Sequence, residues 1–320
     1  MKKLCIFIPT RNHPDLMNYF FQETESGLSK FDIDLFIYDT SEDNATSQEV
    51  KQLNNPNIKY YRNDQYSDTT TDLKIVEGFD ILMDDYEYIW LCGDGYVPVL
   101  EEVIPKILKY MENSYNVIHF IPAKYIEGKK SFDMDKIDFF RYCGWYTPYF
   151  GTTIISSTLF NNSDLKALYN KMNNSGFIFW FALHDALAKL ENEKIIALDC
   201  ESTYTNNPEK KTSSAANSGR FTKFWLDEWP RAIQNLPDCY NEYKDLTCKM
   251  VGNETFFPDM YHFMIQRITN NISFSIIKKY KKNIPKLTDA PMWKFYITAM
   301  VPIALLKTVK AIKHKKKALR

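Results

Sequence analysis

The chain has 320 residues with 40 basic and 40 acidic side chains, so its formal net charge is zero. Hydrophobic residues make up 45% and charged residues 25%, values that are typical of folded proteins and exclude a disordered chain. The six cysteines are too few for a disulfide scaffold, and none has the CxxC spacing of a zinc or redox site. We therefore expect a cytoplasmic protein of one large domain or two ordinary ones.

The charge is distributed unevenly along the chain. Residues 276–320 contain thirteen Lys and Arg but a single acidic residue, whereas residues 1–275 carry a net charge of about −12. An acidic body lacks the basic face that phosphate contacts need, which argues against nucleic acid as a partner. The apolar run before Pro9 is too short for a signal-peptide core, so the sequence predicts no export signal.

Short apolar runs alternate with amphipathic segments in the first part of the chain. The predicted strands are Lys3–Pro9, Ile33–Tyr38, Ile58–Tyr61, Tyr88–Cys92 and Asn116–Ile121. The predicted helices between them are Asp15–Glu25, Gln48–Leu53, Asp72–Met83 and Glu101–Glu112. This alternation predicts an α/β fold with a mostly parallel sheet flanked by helices.

Three of the predicted strands end in polar loops, namely Pro9–Asn12, Asp39–Asn44 and Gly93–Gly95. Parallel strands place their carboxyl ends on one edge of the sheet, where ligands of α/β proteins bind. The glycine patterns of dinucleotide-binding folds and P-loops are missing, which argues against an oxidoreductase or a P-loop NTPase. Asp94, between two glycines, suits a divalent cation that also binds substrate phosphates. The alternative is that Gly93–Gly95 is an ordinary turn with no bound cation.

Residues 3–200 resemble the catalytic domain of family 2 glycosyltransferases, which have the GT-A fold. The resemblance rests on four segments: Ile8–Asn12, Asp39-x-Ser41-x-Asp43, Glu87–Gly95, and a helix at Phe177–Leu190 with an acidic residue near its start. It implies a bacterial transferase of capsule or cell-wall polysaccharide synthesis. Such an enzyme moves a sugar from a nucleotide-diphosphate donor, most often a UDP-sugar, to a hydroxyl group with inversion at the anomeric carbon.

The resemblance implies roles for the residues that end the strands. Pro9, Thr10 and Arg11 would line the nucleotide, and Asp39 would contact the base. Asp94 would hold Mg²⁺ or Mn²⁺ on the diphosphate, where a cation neutralises the charge that builds on the leaving group.

Position 95 departs from the family pattern. Many relatives carry a second carboxylate close to the first, whereas Asp94 stands alone between Gly93 and Gly95. Asp72 and Lys74, from the preceding helix, are therefore further candidates for the nucleotide site, with Lys74 adding positive charge. The alternative is that both side chains lie on a solvated face of the helix and have no role in the site.

Acceptor residues are expected in two later segments. Asp185 is the candidate general base for the acceptor hydroxyl, with His184 as its orienting neighbour; the alternative is an ordinary pair on a helix surface. The candidate acceptor wall contains aromatic rings and a small residue that leaves room near the reaction centre: Trp145, Tyr149, Gly151 and Trp180.

The domain prediction has three parts: a GT-A catalytic domain over 1–205, a loop and helical accessory region over 206–275, and a basic amphipathic tail over 276–320. Residues 203–219 have the composition of a mobile loop. The uninterrupted apolar part of the tail, Phe295–Leu306, is about 12 residues long, short of the roughly 20 needed to span a bilayer. It predicts a helix at the membrane interface, with lysines on anionic lipid.

These features predict a peripheral protein on the inner face of the cell membrane that acts on a lipid-linked oligosaccharide. The alternative for the tail is a buried helix followed by a solvated segment. Two other functions stay open. One is a sugar-phosphate nucleotidyltransferase, although the glycine- and lysine-rich first loop of that class is missing. The other is a non-catalytic, transferase-like binding subunit.

Overall fold

The structure is a computed structural model that describes residues 2–64, 71–172, 174–210 and 221–318, with side chains up to residue 312. The chain divides into two units. The first comprises Met1–Lys211 and Leu236–Tyr240, and the second comprises Thr212–Asn235 and Asn241–Arg320. Part of the predicted mobile loop, residues 211–220, lies outside the described residues.

The first unit is built on a mixed sheet. Its strands are β1 (Lys2–Thr10), β2 (Asp34–Asp39), β3 (Ile58–Arg62), β4 (Tyr86–Leu91), β5 (Tyr96–Pro98), β6 (Val117–Ile121), β7 (Ser131–Met134), β8 (Thr153–Ser156), β9 (Ile195–Asp199) and β10 (Tyr204–Asn206). Eight of them form one sheet in the order β3-β2-β1-β4-β8-β6-β9-β7, and β5 pairs with β10 in a small second sheet.

Six strands of the large sheet run in the same direction, and β7 and β8 run against them. The chain builds β2 and β3 on one side of β1 and then returns to place β4 on the other side. The sheet therefore changes winding direction between β1 and β4, and such a switch point opens a crevice at the carboxyl ends of the two strands.

Seven α-helices of the first unit are described: α1 (Pro14–Phe31), α2 (Ala45–Leu53), α3 (Thr71–Leu82), α4 (Leu100–Glu112), α5 (Lys136–Cys143), α6 (Leu165–Met172) and α7 (Ile178–Ala188). Pro14 starts α1 at a position where a missing N–H costs nothing, and Asp32 ends it in a left-handed conformation with φ 50°. Phe7 of the central strand β1 is fully buried and packs edge-on against Phe79 of α3.

Each predicted strand and helix of the first 121 residues is present, with ends shifted by a few residues at most except in α1. Helix α1 extends to Phe31, six residues beyond its predicted end, because it buries a long apolar face under the sheet. The predicted alternation of strands and helices is thus confirmed.

The second unit is helical. Its described α-helices are α8 (Trp229–Gln234), α9 (Lys244–Val251), α10 (Met260–Ile268), α11 (Phe274–Tyr280), α12 (Ile284–Leu287), α13 (Met292–Met300) and α14 (Ile303–Ala318), with π-helical segments at Thr222–Glu228 and Gly252–Phe256. Its core is aromatic: Phe257 packs against both Phe263 and Phe295, with ring centroids 5.1 and 4.9 Å away.

Residues 276–287 are part of this core, since Ile277 and Leu287 are fully buried. Within the predicted tail, residues 276–320, the exposed large apolar side chains of the described residues begin at Trp293. Among the described residues, no single helix has the length and apolar composition needed to cross a membrane. Met292–Met300 and Ile303–Ile312 meet that criterion only as a pair, and they are bent by 94° relative to each other.

Candidate functional site

The crevice between β1 and β4 brings two of the predicted site residues into contact. Strand β1 ends at Thr10, and β4 ends just before the Gly93–Gly95 turn. Cys92 N donates a hydrogen bond of 2.8 Å to Phe7 O, which keeps the two strand ends side by side. The Thr10 hydroxyl donates to Asp94 Oδ2 at 3.3 Å.

Asp94 has a further partner that was not predicted. His13 Nδ1 lies 2.7 Å from Asp94 Oδ2, and this hydrogen bond raises the pKa of His13 above its ordinary value. His13 immediately precedes α1, so the fold carries it from the first strand end to the Asp94 turn. A lone histidine after a strand gives no signal in the sequence, because its partner lies 81 residues away.

Lys74 is the buried cation of the site. It is only 4% exposed, and its Nζ donates to Thr10 O at 2.9 Å. Burial lowers the pKa of Lys74 to about 8, with Asp39 and Asp94 acting in the opposite direction. Lys74 therefore places its positive charge at the end of β1, the floor of the crevice, and its role in nucleotide binding stays a prediction.

Asp39 ends β2 and is fully buried. Its carboxylate accepts hydrogen bonds from Ser41 N at 2.8 Å and from the Tyr60 hydroxyl at 2.8 Å. These bonds fix the loop after β2 and leave a negative charge near Lys74. A contact between Asp39 and a nucleotide base stays a prediction.

Arg11 lies in the loop after β1 and reaches the loop after β2. Its guanidinium pairs with Glu42 at 3.2 Å, and Pro9 lies within β1, half-buried beside Tyr38 of β2. Asn12 adopts a left-handed φ of 55° and donates its backbone N–H to the Ser41 hydroxyl at 2.8 Å. The loops after β1 and β2 are thus joined into one rigid edge.

Asp72 has a different role from the predicted one. It is buried, and its carboxylate accepts hydrogen bonds from Gly176 N at 2.7 Å and from Ile178 N at 3.4 Å. These N–H groups lie at the start of α7, which has no capping side chain of its own. Asp72 therefore caps α7 from the neighbouring helix, and its carboxylate is directed at backbone groups.

Asp185 was predicted near the start of its helix, but the structure places it further along. It lies seven residues after Ile178, roughly 10 Å along α7, and pairs with Lys189 at 2.7 Å. His184 is fully buried among Phe139, Phe140 and other rings, and burial lowers its pKa to about 3. No described contact brings either residue to Asp94.

The predicted acceptor residues separate into two groups. Trp145 and Trp180 are 2% and 1% exposed, so neither ring offers a face on which a sugar could stack. Their indole N–H groups donate to backbone carbonyls, Trp145 to Tyr142 O at 3.1 Å and Trp180 to Gly144 O at 2.7 Å. The prediction failed because aromatic residues beside Gly and Pro occur in cores as well as in binding walls.

Tyr149 and Gly151 lie in a segment that borders the end of β4, and their role at the acceptor stays a prediction. Gly151 N donates to Leu91 O, the last residue of β4, at 2.8 Å. Gly151 has φ +95°, a conformation that favours glycine, and its carbonyl accepts bonds from Trp90 and Tyr204. Half-buried Tyr149 is two residues away, so this segment borders the strand end that leads to Asp94.

The residues around Asp94 do not fit the predicted Mg²⁺ or Mn²⁺ site. Across the ranges that the structure describes, no three His, Cys, Asp or Glu side chains converge as metal ligands. One oxygen of the Asp94 carboxylate already accepts bonds from His13 and Thr10. Lys74 adds a cation nearby, which further disfavours a second positive charge.

The fold, in contrast, has clear counterparts among solved structures. No family model matches the sequence, and no curated protein matches it. TarS from S. aureus, residues 1–349, in complex with UDP-GlcNAc is similar over 98% of this chain and 92% of its own, with a TM-score of 0.56 and 13% identity. The TarS complex with UDP has a TM-score of 0.55 and 14% identity at the same coverage.

A longer TarS structure matches 89% of this chain and 50% of its own length, with a TM-score of 0.52 and 14% identity. At these identities the similarity concerns the fold. The chain has the GT-A fold, as predicted, with a helical C-terminal region.

Proposed function

We propose that this protein is a glycosyltransferase that transfers a sugar from a nucleotide-diphosphate donor, with UDP-sugars as the first candidates. The crevice between β1 and β4 carries the proposal, because it places buried Lys74, Thr10 and Asp94 at the switch point of a GT-A sheet. The similarity to TarS, which was solved with UDP-GlcNAc and with UDP, supports the nucleotide class.

In the proposed reaction the acceptor oxygen attacks the anomeric carbon in line with the departing diphosphate. The bond between that carbon and the phosphate oxygen breaks, and its electron pair stays on the diphosphate. The acceptor proton passes to a base, and the configuration is inverted. Lys74 would stabilise the charge on the leaving group, which is the main electrostatic demand of the reaction.

The test is release of UDP from a panel of UDP-sugars incubated with the full chain. We expect turnover in the wild type and at least a tenfold loss in Asp94→Asn, since the neutral side chain removes the negative charge that pairs with His13 at the crevice. Asp84→Asn is the matched control, because Asp84 is exposed just before the amino end of β4. Equal rates for Asp94→Asn and wild type would contradict the assignment of the site.

A non-catalytic nucleotide-sugar-binding subunit is the second candidate. The observation that favours it is that the carboxylate of Asp185, the candidate base, pairs with Lys189 at 2.7 Å. Such a subunit would bind UDP at the crevice without releasing it from any UDP-sugar. The same assay, combined with a UDP titration, separates the two functions.

We further propose that the acceptor is lipid-linked and that the second unit binds the inner face of the cell membrane. Helices α13 and α14 expose large apolar side chains: Trp293, Tyr296, Ile297, Met300, Leu305, Val309 and Ile312. Lysines are interspersed through the same segment of the sequence. Apolar side chains beside cations suit a helix pair that lies in the headgroup region of anionic lipid.

The membrane proposal is tested by co-sedimentation with vesicles of phosphatidylcholine and phosphatidylglycerol. Changing Leu305, Val309 and Ile312 together to serine should weaken binding at least tenfold, because three exposed apolar groups lose their insertion energy. Leu246→Ser, which removes an exposed leucine of α9, is the control. Unchanged sedimentation of the triple variant would rule out this surface. Deleting 276–320 is unsuitable, since 277–287 contributes buried residues.

A further inference from the structure

Position 95 is a glycine whose side-chain space is occupied by a lysine. A Cβ atom built on Gly95 would lie 2.7 Å from Lys210 Nζ and 2.7 Å from Lys210 Cδ. No side chain at position 95 fits unless Lys210 moves away. The ammonium of Lys210 therefore lies directly beside the Asp94 turn.

The segment that carries Lys210 is fixed to the Asp94 turn. The Asn207 side-chain amide donates to Asp94 O at 3.1 Å and to Leu16 O at 2.9 Å, and Asn207 N donates to Gly95 O at 3.3 Å. Lys210 N in turn donates to Asn207 O at 3.1 Å. Four hydrogen bonds thus hold the backbone around Lys210 at the end of the crevice.

The ammonium group of Lys210 packs on the aromatic ring of Tyr96. It lies 3.7 Å from the centroid of Tyr96, over the ring face, which is a favourable position for a cation. Tyr96 follows Gly95 directly, so the ring, the glycine and Asp94 are consecutive in the chain. Asp94 is also near two other basic groups: His13 lies 2.7 Å from its Oδ2, and Lys74 bonds to Thr10 O, whose side chain bonds to Asp94.

We propose that Lys210 binds the diphosphate of the nucleotide-sugar and, together with Lys74, does the work of a divalent cation at this site. The proposal rests on the proposed function of the crevice. A diphosphate leaving group needs positive charge close to its oxygens, and protein cations supply it as a metal would. The lone Asp94 then orients His13 and Thr10, which explains why a second carboxylate is dispensable.

Calorimetric titration of UDP into the full chain tests the proposal, first in EDTA and then in Mg²⁺ or Mn²⁺. We expect UDP to bind in EDTA with a Kd within about threefold of that with metal. Lys210→Met should raise the Kd roughly 10- to 100-fold, the range for losing a charge-assisted hydrogen bond. Lys109→Met is the control, because Lys109 also lies over a tyrosine ring, at 4.6 Å from Tyr110, but at the far end of α4.

A second variant tests the proposal without removing Lys210. Gly95→Asp introduces a carboxylate against Lys210, so metal-free UDP binding should weaken and Mg²⁺ should restore it. Binding of UDP by the wild type only with metal, together with an unaffected Lys210→Met, would overturn this inference and leave the proposed function standing. Absence of UDP binding in both buffers would contradict the proposed function itself.

Discussion

Lys74→Met is expected to weaken UDP binding at least tenfold while making the protein more resistant to unfolding. The binding loss follows because the buried ammonium lies at the floor of the crevice, where charge-assisted bonds to phosphate are strong. The gain in stability follows because burial lowers the pKa of Lys74 from 10.5 to about 8. The unfolded chain therefore holds this proton more tightly than the folded chain.

The sign of the pH dependence follows from this lowered pKa. The contribution of Lys74 to stability is fully present above pH 10.5 and is lost as the pH falls through 8. At pH 7 the charged lysine thus costs stability, and we expect methionine to raise the free energy of unfolding by about 1–3 kcal/mol. The affinity for UDP should fall as the pH rises above about 8, since the ammonium is then lost.

Calorimetric titration of UDP at pH 7 and pH 9.5 measures the change in affinity. Thermal melting of the wild type and of Lys74→Met measures the change in stability. The UDP affinity of Lys74→Met should depend less on pH than that of the wild type over this range. A variant that is both less stable and unchanged in UDP affinity would mean that Lys74 is a structural residue only.

Asp39→Asn should lower the free energy of unfolding by about 3 kcal/mol, the scale for disrupting a buried, hydrogen-bonded charge. The carboxylate of Asp39 is fully buried and accepts hydrogen bonds from Ser41 and Tyr60. The side-chain amide of asparagine has one acceptor oxygen and can accept only part of these bonds. Asp39 also acts to raise the pKa of Lys74. Its loss should therefore move the pH at which UDP affinity falls to lower values.

Chemical denaturation and UDP titration between pH 6 and 9 would measure both consequences. Asp32→Asn is the control, because Asp32 is exposed, lies at the opposite end of β2 and pairs with Lys2 at the surface. A destabilised Asp39→Asn with an unchanged pH profile would show that the loop after β2 is structural and not coupled to Lys74. An unchanged free energy of unfolding would contradict the hydrogen-bond network of Asp39 with Ser41 and Tyr60.

The strand ends were predictable because local patterns determine them. Buried β-branched runs identify β1, β2 and β4, and the polar residues that follow, including Thr10 and Asp94, must meet at one edge of a parallel sheet. Strand β8 enters between β4 and β6 in the opposite direction. Its place depends on long-range pairing that no local pattern specifies.

The site residues that sequence reasoning missed act over long sequence separations. His13 reaches Asp94 across 81 residues, and Asn207 reaches the same turn across 113. The start of α7 was predicted within one residue, at Phe177 against the observed Ile178, so the error lay in describing Asp185 as near that start. The cap of α7 is another long-range contact, because Asp72 lies 104 residues from Gly176.

A crystal structure of the full chain with UDP would show directly whether the nucleotide binds at the end of β1 and β4. We expect the diphosphate in the crevice between these strands, with phosphate oxygens within hydrogen-bonding distance of the Lys74 ammonium and near the Asp94 turn. UDP bound elsewhere on the chain, with this crevice empty, would contradict this expectation.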